Sequence, residues 1–318
     1  MKLKHLNLLC DPYSKSNLQI KITKQIGDEI LEGILFSENS KYEITNGVPR
    51  FVKDEGYSKN FGWQWSNWSK LQFEEENIGK PMESHTKNMF LTITELNKNK
   101  VKDKIILDIG VGSGRFSDVA SKLGAKLVCI DYSKSIDIAK NNLNNPEILY
   151  VQGDALNLPF KNEVFDFTFS IGVLHHTPNP ELGVKEAYRV LKYGGEFALS
   201  VYSQGSLYTL SSVKFWRKIF NFLWKYFKHH PPLIYSRVFG TVTYYISKVN
   251  IKLTYPIRFF FPTVVLKDLH WTILDTFDSI TTSYQKGYTI YEVFKWFEKY
   301  QYKHIRPGNW RVNLIGEK

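Results

Sequence analysis

Three carboxylates, each closing a short apolar run, are the residues of this chain best placed to do chemistry together. Asp108 ends Ile105-Ile106-Leu107, Asp131 ends Leu127-Val128-Cys129-Ile130, and Asp154 follows Ile148 to Val151 through Gln152-Gly153. Consecutive members are 23 residues apart, enough for a strand, a turn and a helix each time. After Asp108 the chain turns on Gly110, Gly112 and Gly114 and then reaches Arg115. Glycine accepts backbone angles that other residues resist and lets a ligand approach the main chain closely. Carboxylates that accept hydrogen bonds, beside amides that donate them, can hold a ligand rich in hydroxyls and amines.

The elements that must position these residues follow from the same pattern. Alternating strands and helices predict an α/β fold, a parallel sheet covered on both faces, with its ligand crevice at the carboxyl ends of the strands. A nicotinamide dinucleotide would call for Gly-x-Gly-x-x-Gly. Here the glycines follow Gly-x-Gly-x-Gly, and Arg115 stands where the third glycine of that fingerprint belongs. Asp108, two residues before the first glycine, also sits badly beside an anionic pyrophosphate. A ligand with a cationic amino-acid end, a ribose and an adenine suits the set better, and S-adenosylmethionine is such a ligand.

Over residues 100–202 the chain resembles the class I S-adenosylmethionine-dependent methyltransferases, in the small-molecule branch with Leu-Asp-x-Gly-x-Gly-x-Gly. The resemblance implies a Rossmann-like sheet of seven strands, the last antiparallel. It implies that Asp108, Gly110, Gly112 and Gly114 surround the methionine end, that Asp131 accepts both ribose hydroxyls beside Tyr132, and that Asp154 and Ala155 meet the adenine. A fourth strand, Phe165 to Ile171, carries Ser170 and leads into Gly172-Val173-Leu174-His175-His176, which resembles the family's loop beside the transferred methyl. His176, then His175, are the candidate bases, because an imidazole titrates near neutral pH. The product would be S-adenosylhomocysteine, and no metal is expected.

Both flanks extend the likeness. Cys10-Asp11-Pro12 and Ser37-Glu38-Asn39-Ser40 resemble the two knuckles of a Trm112-like domain in which zinc-binding members carry paired cysteines. Serine hydroxyls do not replace thiolates on tetrahedral zinc, so residues 1–54 are expected to form a small β-rich domain without metal. Residues 55–100 resemble the aromatic linker of such fusions, with Tyr57, Phe61 and Trp65 over the sulfonium. Residues 101–202 would be the cofactor-binding core, 203–288 a helical aromatic insertion, and 289–318 a final helix with the last strands. Asp275, Asp278 and Tyr284 are candidate acceptor contacts.

A chain of 318 residues with 43% hydrophobic content can bury a large core. It shows no run of 18 apolar residues and no signal-peptide pattern at its N-terminus, so a cytoplasmic place is expected. Cys10 and Cys129 lie far apart, and no disulfide is expected there. The net charge is +11, and from Phe197 to Lys267 there are ten Lys and Arg and no Asp or Glu. The rest of the chain holds 32 basic and 31 acidic residues, so this stretch carries almost the whole excess. Aromatic residues interleave the cations between 207 and 261, a composition shared by a lid over a site and by an interfacial helix at the inner face of a membrane.

No Asn-Pro-Pro-Tyr follows the fourth strand, which favours oxygen or carbon over nitrogen as the acceptor atom, and no ligand cluster supports a metal-dependent reaction. The expected acceptor is a small or lipid-linked molecule rather than nucleic acid. Two other classes stay open: an RNA-modifying enzyme that uses the basic stretch, and a non-catalytic cofactor-binding or partner-docking module.

Overall fold

The computed structural model describes residues 1–53 and 56–318, apart from the side chains of Tyr57 and Lys59. Its strands are β1 (Gln19–Ile26), β2 (Glu29–Phe36), β3 (Lys41–Thr45), β4 (Val48–Arg50), β5 (Ile105–Ile109), β6 (Lys126–Asp131), β7 (Leu149–Gln152), β8 (Phe165–Ile171), β9 (Leu191–Val201), β10 (Lys303–Pro307) and β11 (Val312–Glu317). Its α-helices are α1 (Lys59–Asn67), α2 (His85–Thr94), α3 (Lys98–Val101), α4 (Arg115–Lys122), α5 (Ser135–Leu143), α6 (Pro180–Val190), α7 (Ser211–Phe227), α8 (His230–Val249), α9 (Tyr255–Phe260), α10 (Leu269–Thr281) and α11 (Ile290–Lys299).

All eleven strands join one mixed sheet in the order β1-β2-β3-β4-β7-β6-β5-β8-β9-β11-β10. From β4 to β9 neighbours run parallel, while β11 is antiparallel to both β9 and β10. The seven strands from β5 onward match the expected arrangement, final antiparallel strand included. Among the described residues the sheet runs on to eleven strands, because the N-terminal meander β1 to β4 is hydrogen-bonded onto the edge at β7, where Arg50 pairs with Gln152. Arg50 strengthens that seam by donating from both terminal nitrogens to Asp137 of α5, at 3.1 and 2.6 Å, and from one of them to Gln152 Oε1 at 3.1 Å. At the far end of the meander the two knuckle-like loops meet on Asp11, which accepts from the hydroxyls of Ser37 and Tyr42, both at 3.0 Å.

Strand periodicity places the core. Along β5, Leu107 and Ile109 face one layer, with β6 residues Val128 and Ile130, helices α6 and α11, and Leu9, Ile30 and Leu35 of the N-terminal part. Ile106 faces the other layer, with Cys129 and helices α2, α4 and α5. Both faces being covered, the central strands read as nearly unbroken apolar runs. The chain leaves β5 toward β6 and β7, then returns to the other side of β5 to form β8, so a crevice opens at the carboxyl ends of β5 and β8.

Candidate active site

A cavity of about 560 Å³ lies at those strand ends, within the range of about 300–1,000 Å³ usual for small-ligand sites. Its floor is the glycine turn, with Gly110, Val111, Gly112, Asp131, Tyr132, Gly153 and Ala155. Phe61 and Trp65 of α1 close one side, and Trp271, Asp275 and Asp278 of α10 close another.

The turn depends on its glycines. Gly110 has φ +86°, and a Cβ there would lie 2.3 Å from the Val173 side chain, so only glycine lets the loop after β8 pack against the turn. At Gly112, with φ +56°, a Cβ would stand 3.1 Å from Trp65 Nε1, so the missing side chain lets the indole settle on the turn. The Gly112 amide donates to Asp131 Oδ2 at 3.0 Å, while the Ser133 amide and hydroxyl donate to Oδ1 at 2.9 and 2.8 Å. Each carboxylate oxygen has two lone-pair sites, so Oδ2 keeps one for a ligand hydroxyl. A second becomes free when the Ser133 hydroxyl turns to Ser135 Oγ, 2.7 Å away. The expectation of two ribose hydroxyls on Asp131 therefore requires that rotation. With amides along the turn, an accepting carboxylate and an indole wall, these residues fit S-adenosylmethionine.

Four cofactor candidates stand behind the wall rather than on it. Asp108 is buried and accepts from Ser117 Oγ at 2.7 Å, which ties β5 to α4. Burial pushes its carboxyl up to about 7 against the pull of that hydrogen bond, and the nearby Asp131 adds to the rise. Ser170 donates to the Ile109 carbonyl at 3.0 Å and fixes β8 to β5. Gly114, at φ +99°, precedes α4 and packs against Leu143 and Ala139 of α5. The Asp154 carboxylate turns back to accept from the Leu156 amide at 2.9 Å, so Gly153 and Ala155, not Asp154, form that part of the wall. Sequence spacing locates a strand end, but the side-chain rotamer decides whether its carboxylate faces the crevice or the protein.

The α10 side of the cavity holds more polar groups than the sequence indicated. Asp275 and Asp278 share this wall with Tyr202, Tyr208 and Arg115. Asp278 accepts from Gln64 Nε2 at 3.1 Å and from the Tyr202 hydroxyl at 3.3 Å. Burial raises the Asp275 carboxyl to about 7; the neighbouring Asp278 raises it further and Arg115 opposes the rise. Burial also holds the Tyr202 and Tyr208 phenols well above their ordinary range, so both remain protonated donors. Arg115, Tyr202 and Tyr208 were missed as site residues. Arg115 had a signal: it opens α4 directly after the glycine turn, where a first-turn side chain can reach the crevice.

The two histidines part company. His176 lines the cavity, and its Nδ1 hydrogen donates to the Tyr284 carbonyl at 2.9 Å, which leaves Nε2 as the lone-pair nitrogen. Burial lowers its basicity, with Asp278 and the Tyr284 carbonyl opposing, so the ring is neutral near pH 7. His175 is buried behind it, its ring 4.0 Å from those of both His176 and Tyr202, and it does not line the cavity. Burial drives its basicity far down, and neither ring nitrogen has a hydrogen-bond partner among the described residues. The expected proton-transfer role of His175 thus has no ring nitrogen on the cavity wall to carry it, and its ring packs between those of His176 and Tyr202. Tyr284 enters through its carbonyl and not its ring, which is 47% exposed and off the cavity wall. The Tyr57 side chain lies outside the described residues.

Residues 107–199 match the family described as "Methyltransferase domain". The 2-methyl-6-phytyl-1,4-hydroquinone methyltransferase of Arabidopsis thaliana chloroplasts is 36% identical over 100 residues, covering 30% of each chain. The ubiquinone biosynthesis O-methyltransferase of Coxiella burnetii is 31% identical over 129 residues, covering 39% of this chain and 54% of that protein. The chain thus spans about a third to a half of the length of these curated relatives. Among solved structures, a SAM-dependent methyltransferase from Aquifex aeolicus aligns with a TM-score of 0.31 at 21% identity, over 38% of this chain and 72% of that one.

Proposed function

Residues 107–199 being a methyltransferase domain of the class I S-adenosylmethionine-dependent type, we propose that the chain transfers a methyl group to an oxygen or carbon of a small, hydroxyl-bearing, lipid-linked acceptor. The observation that carries the reading is the meeting, in one cavity, of the Gly112–Asp131 turn with a wall of proton-accepting and proton-donating groups. S-adenosylmethionine, when bound, supplies an electrophilic methyl on a positively charged sulfur.

The chain's own residues do the rest. Asp131 and the turn amides hold the ribose and the main-chain end of the ligand. Trp65 and Phe61 exclude water, and their faces favour a cation. Tyr208 donates a hydrogen bond that orients an acceptor oxygen, while Tyr202, whose hydroxyl is given to Asp278, stacks beside it. Asp275, with its carboxyl near 7, and the neutral His176 are matched to remove a hydroxyl proton near neutral pH, where general-base efficiency is greatest. Orientation in a dry site supplies much of the remaining rate. The names of the curated relatives, a phytyl hydroquinone methyltransferase and a ubiquinone biosynthesis O-methyltransferase, support a hydroxylated ring as the acceptor.

Two measurements test this. Calorimetry should give saturable binding of S-adenosylmethionine and S-adenosylhomocysteine, and Asp131→Ala should weaken it about a hundredfold through loss of charge-assisted hydrogen bonds. Unchanged affinity in that variant removes Asp131 from the site. Labelled methyl transfer is then followed to hydroquinones with and without an isoprenoid tail, and to RNA. Transfer to the ring supports the proposal, transfer to RNA overturns it, and cofactor binding with no transfer to any of these leaves a binding module in its place.

A further inference from the structure

The methyl-donor cavity accounts for one face of the helical insertion and leaves the opposite face unexplained. Of the 26 exposed large apolar side chains described, 15 lie between Leu210 and Phe260. They follow helical periodicity. On α7, Phe215, Phe222 and Tyr226 share an outward stripe with Lys218 and Lys225. On α8, the stripe is Ile234, Val238, Val242, Tyr245 and Val249, almost wholly aliphatic along a helix about 30 Å long at ~1.5 Å per residue. Phe259 and Phe260 of α9 are 71% and 65% exposed. The inward faces already have their partners: Trp216, Phe220, Tyr235, Phe239 and Phe261 pack together, and Trp216 Nε1 donates to the Phe260 carbonyl at 2.8 Å. The outward stripes are therefore not an unfinished core.

The charge beside them has one sign. Lys214, Lys218, Lys225, Lys228, Arg237, Lys248 and Lys252 make no ion pair among the described residues, and the stretch from 197 to 267 offers no Asp or Glu to pair with them. An apolar face this long is costly in water and marks an interaction surface. Its partner must be anionic and must also accept Val and Ile side chains. A phosphate backbone satisfies the cations but not an aliphatic stripe, whereas an anionic bilayer satisfies both at once, with rings and aliphatic groups at the acyl boundary and cations among the head groups. Among the described residues no helix is long and apolar enough to cross a membrane, so the face would lie on the surface.

We propose that the outward face of α7, α8 and α9 docks on an anionic lipid bilayer, and that this docking holds the cavity at the membrane. The coupling is built in. Tyr208, on the cavity wall, lies three residues before α7 and stacks on Tyr202 at 4.3 Å. Arg217 of α7 is buried and donates to the Ser279 carbonyl at 2.9 Å and to the Tyr208 carbonyl at 3.3 Å. At the other end of α7, His229 stacks on Trp63 of α1 at 3.9 Å. The docking face is thus fixed to the two helices, α1 and α10, that close the cavity.

The test is co-flotation of the full chain with vesicles of mixed phosphatidylcholine and phosphatidylglycerol, against phosphatidylcholine alone. The chain should float with the anionic vesicles only, less at high salt, and each exposed cation removed should weaken binding about fivefold. Lys218→Glu/Lys225→Glu tests the charge and Val238→Ser/Val242→Ser the apolar stripe; both pairs are exposed, and retained S-adenosylhomocysteine binding shows that each variant is folded. Absence of flotation, or flotation unaffected by both variants, overturns the proposal. Binding to RNA with no binding to vesicles, or dimerisation through the α8 stripe with no binding to vesicles, overturns it equally. The test does not depend on turnover, so its failure is distinct from failure of the methyl-transfer reading.

Discussion

Replacing Asp275 with asparagine should stabilise the fold at alkaline pH while it impairs methyl transfer. The carboxyl titrates near 7 in the fold because burial opposes its charge, whereas in the unfolded chain an aspartate titrates near ~3.9. A folded value above the unfolded one means that the folded chain binds the proton more tightly, so the favourable contribution is complete below about pH 4 and is lost as pH rises through about 7. At ~1.36 kcal/mol per pH unit, the ionised carboxylate at pH 8 costs up to ~4 kcal/mol, which its partial access to cavity water reduces to roughly 2–3. At pH 5 the same reckoning leaves ~1 kcal/mol. Asparagine keeps the shape and cannot ionise. Urea unfolding at the two pH values should therefore show the variant gaining roughly 1–2 kcal/mol more at pH 8 than at pH 5, by a shift in midpoint at constant slope. In the same variant, turnover should fall by about a hundredfold or more and lose its ionisation near 7. An equal stability change at both pH values, or a loss of stability at pH 8, would refute the idea that Asp275 is held in a place that disfavours its charge.

Gly110→Ala should lower thermal stability by about 2 kcal/mol or more, since the new Cβ meets Val173 and the backbone holds φ +86°; adding Val173→Ala should recover only part of the loss, and full recovery would show that the angle itself costs nothing. His176→Gln should lower kcat with little change in KM and flatten the acid limb of the pH profile, because the ring is neutral near pH 7 and its Nε2 carries the lone pair; an unchanged profile would leave the residue a packing role. Arg217→Met should cost about 2–3 kcal/mol, as it leaves the Ser279 and Tyr208 carbonyls without their charged donor. Faster hydrogen exchange in α7 and at the end of α10 would report that loss, and unaltered protection there would show that the clamp is dispensable.

Much of the donor half was legible because local sequence dictates it. An apolar run ending in a carboxylate, then glycines at alternate positions, states where a strand stops, where the backbone reverses and where amides lie bare. The family resemblance placed Asp131, Gly110, Gly112, Tyr132, Ala155 and Trp65, all of which line the cavity. It also named Asp108, Ser170 and Asp154, whose side chains make hydrogen bonds within the protein and do not line the cavity, because spacing along the chain says nothing of rotamers. The polar wall beside α10 was harder to foresee as a whole. Arg115, Tyr202, Tyr208, Asp275 and Asp278 come from segments up to 163 residues apart, and no periodicity links them.

What the sequence by itself determined was the alternation that makes the sheet, the glycine turn, and the one-signed charge of 197–267, since these rest on backbone geometry and composition. Only the tertiary structure decided that the N-terminal meander extends the same sheet, that His176 faces the cavity while His175 packs behind it, and that α10 brings two carboxylates over the glycine turn. Those outcomes depend on which surfaces exclude water from one another. That is settled by packing between distant segments, where Asp275, buried near Asp278 and Arg115, acquires a charge state that no local stretch of sequence encodes.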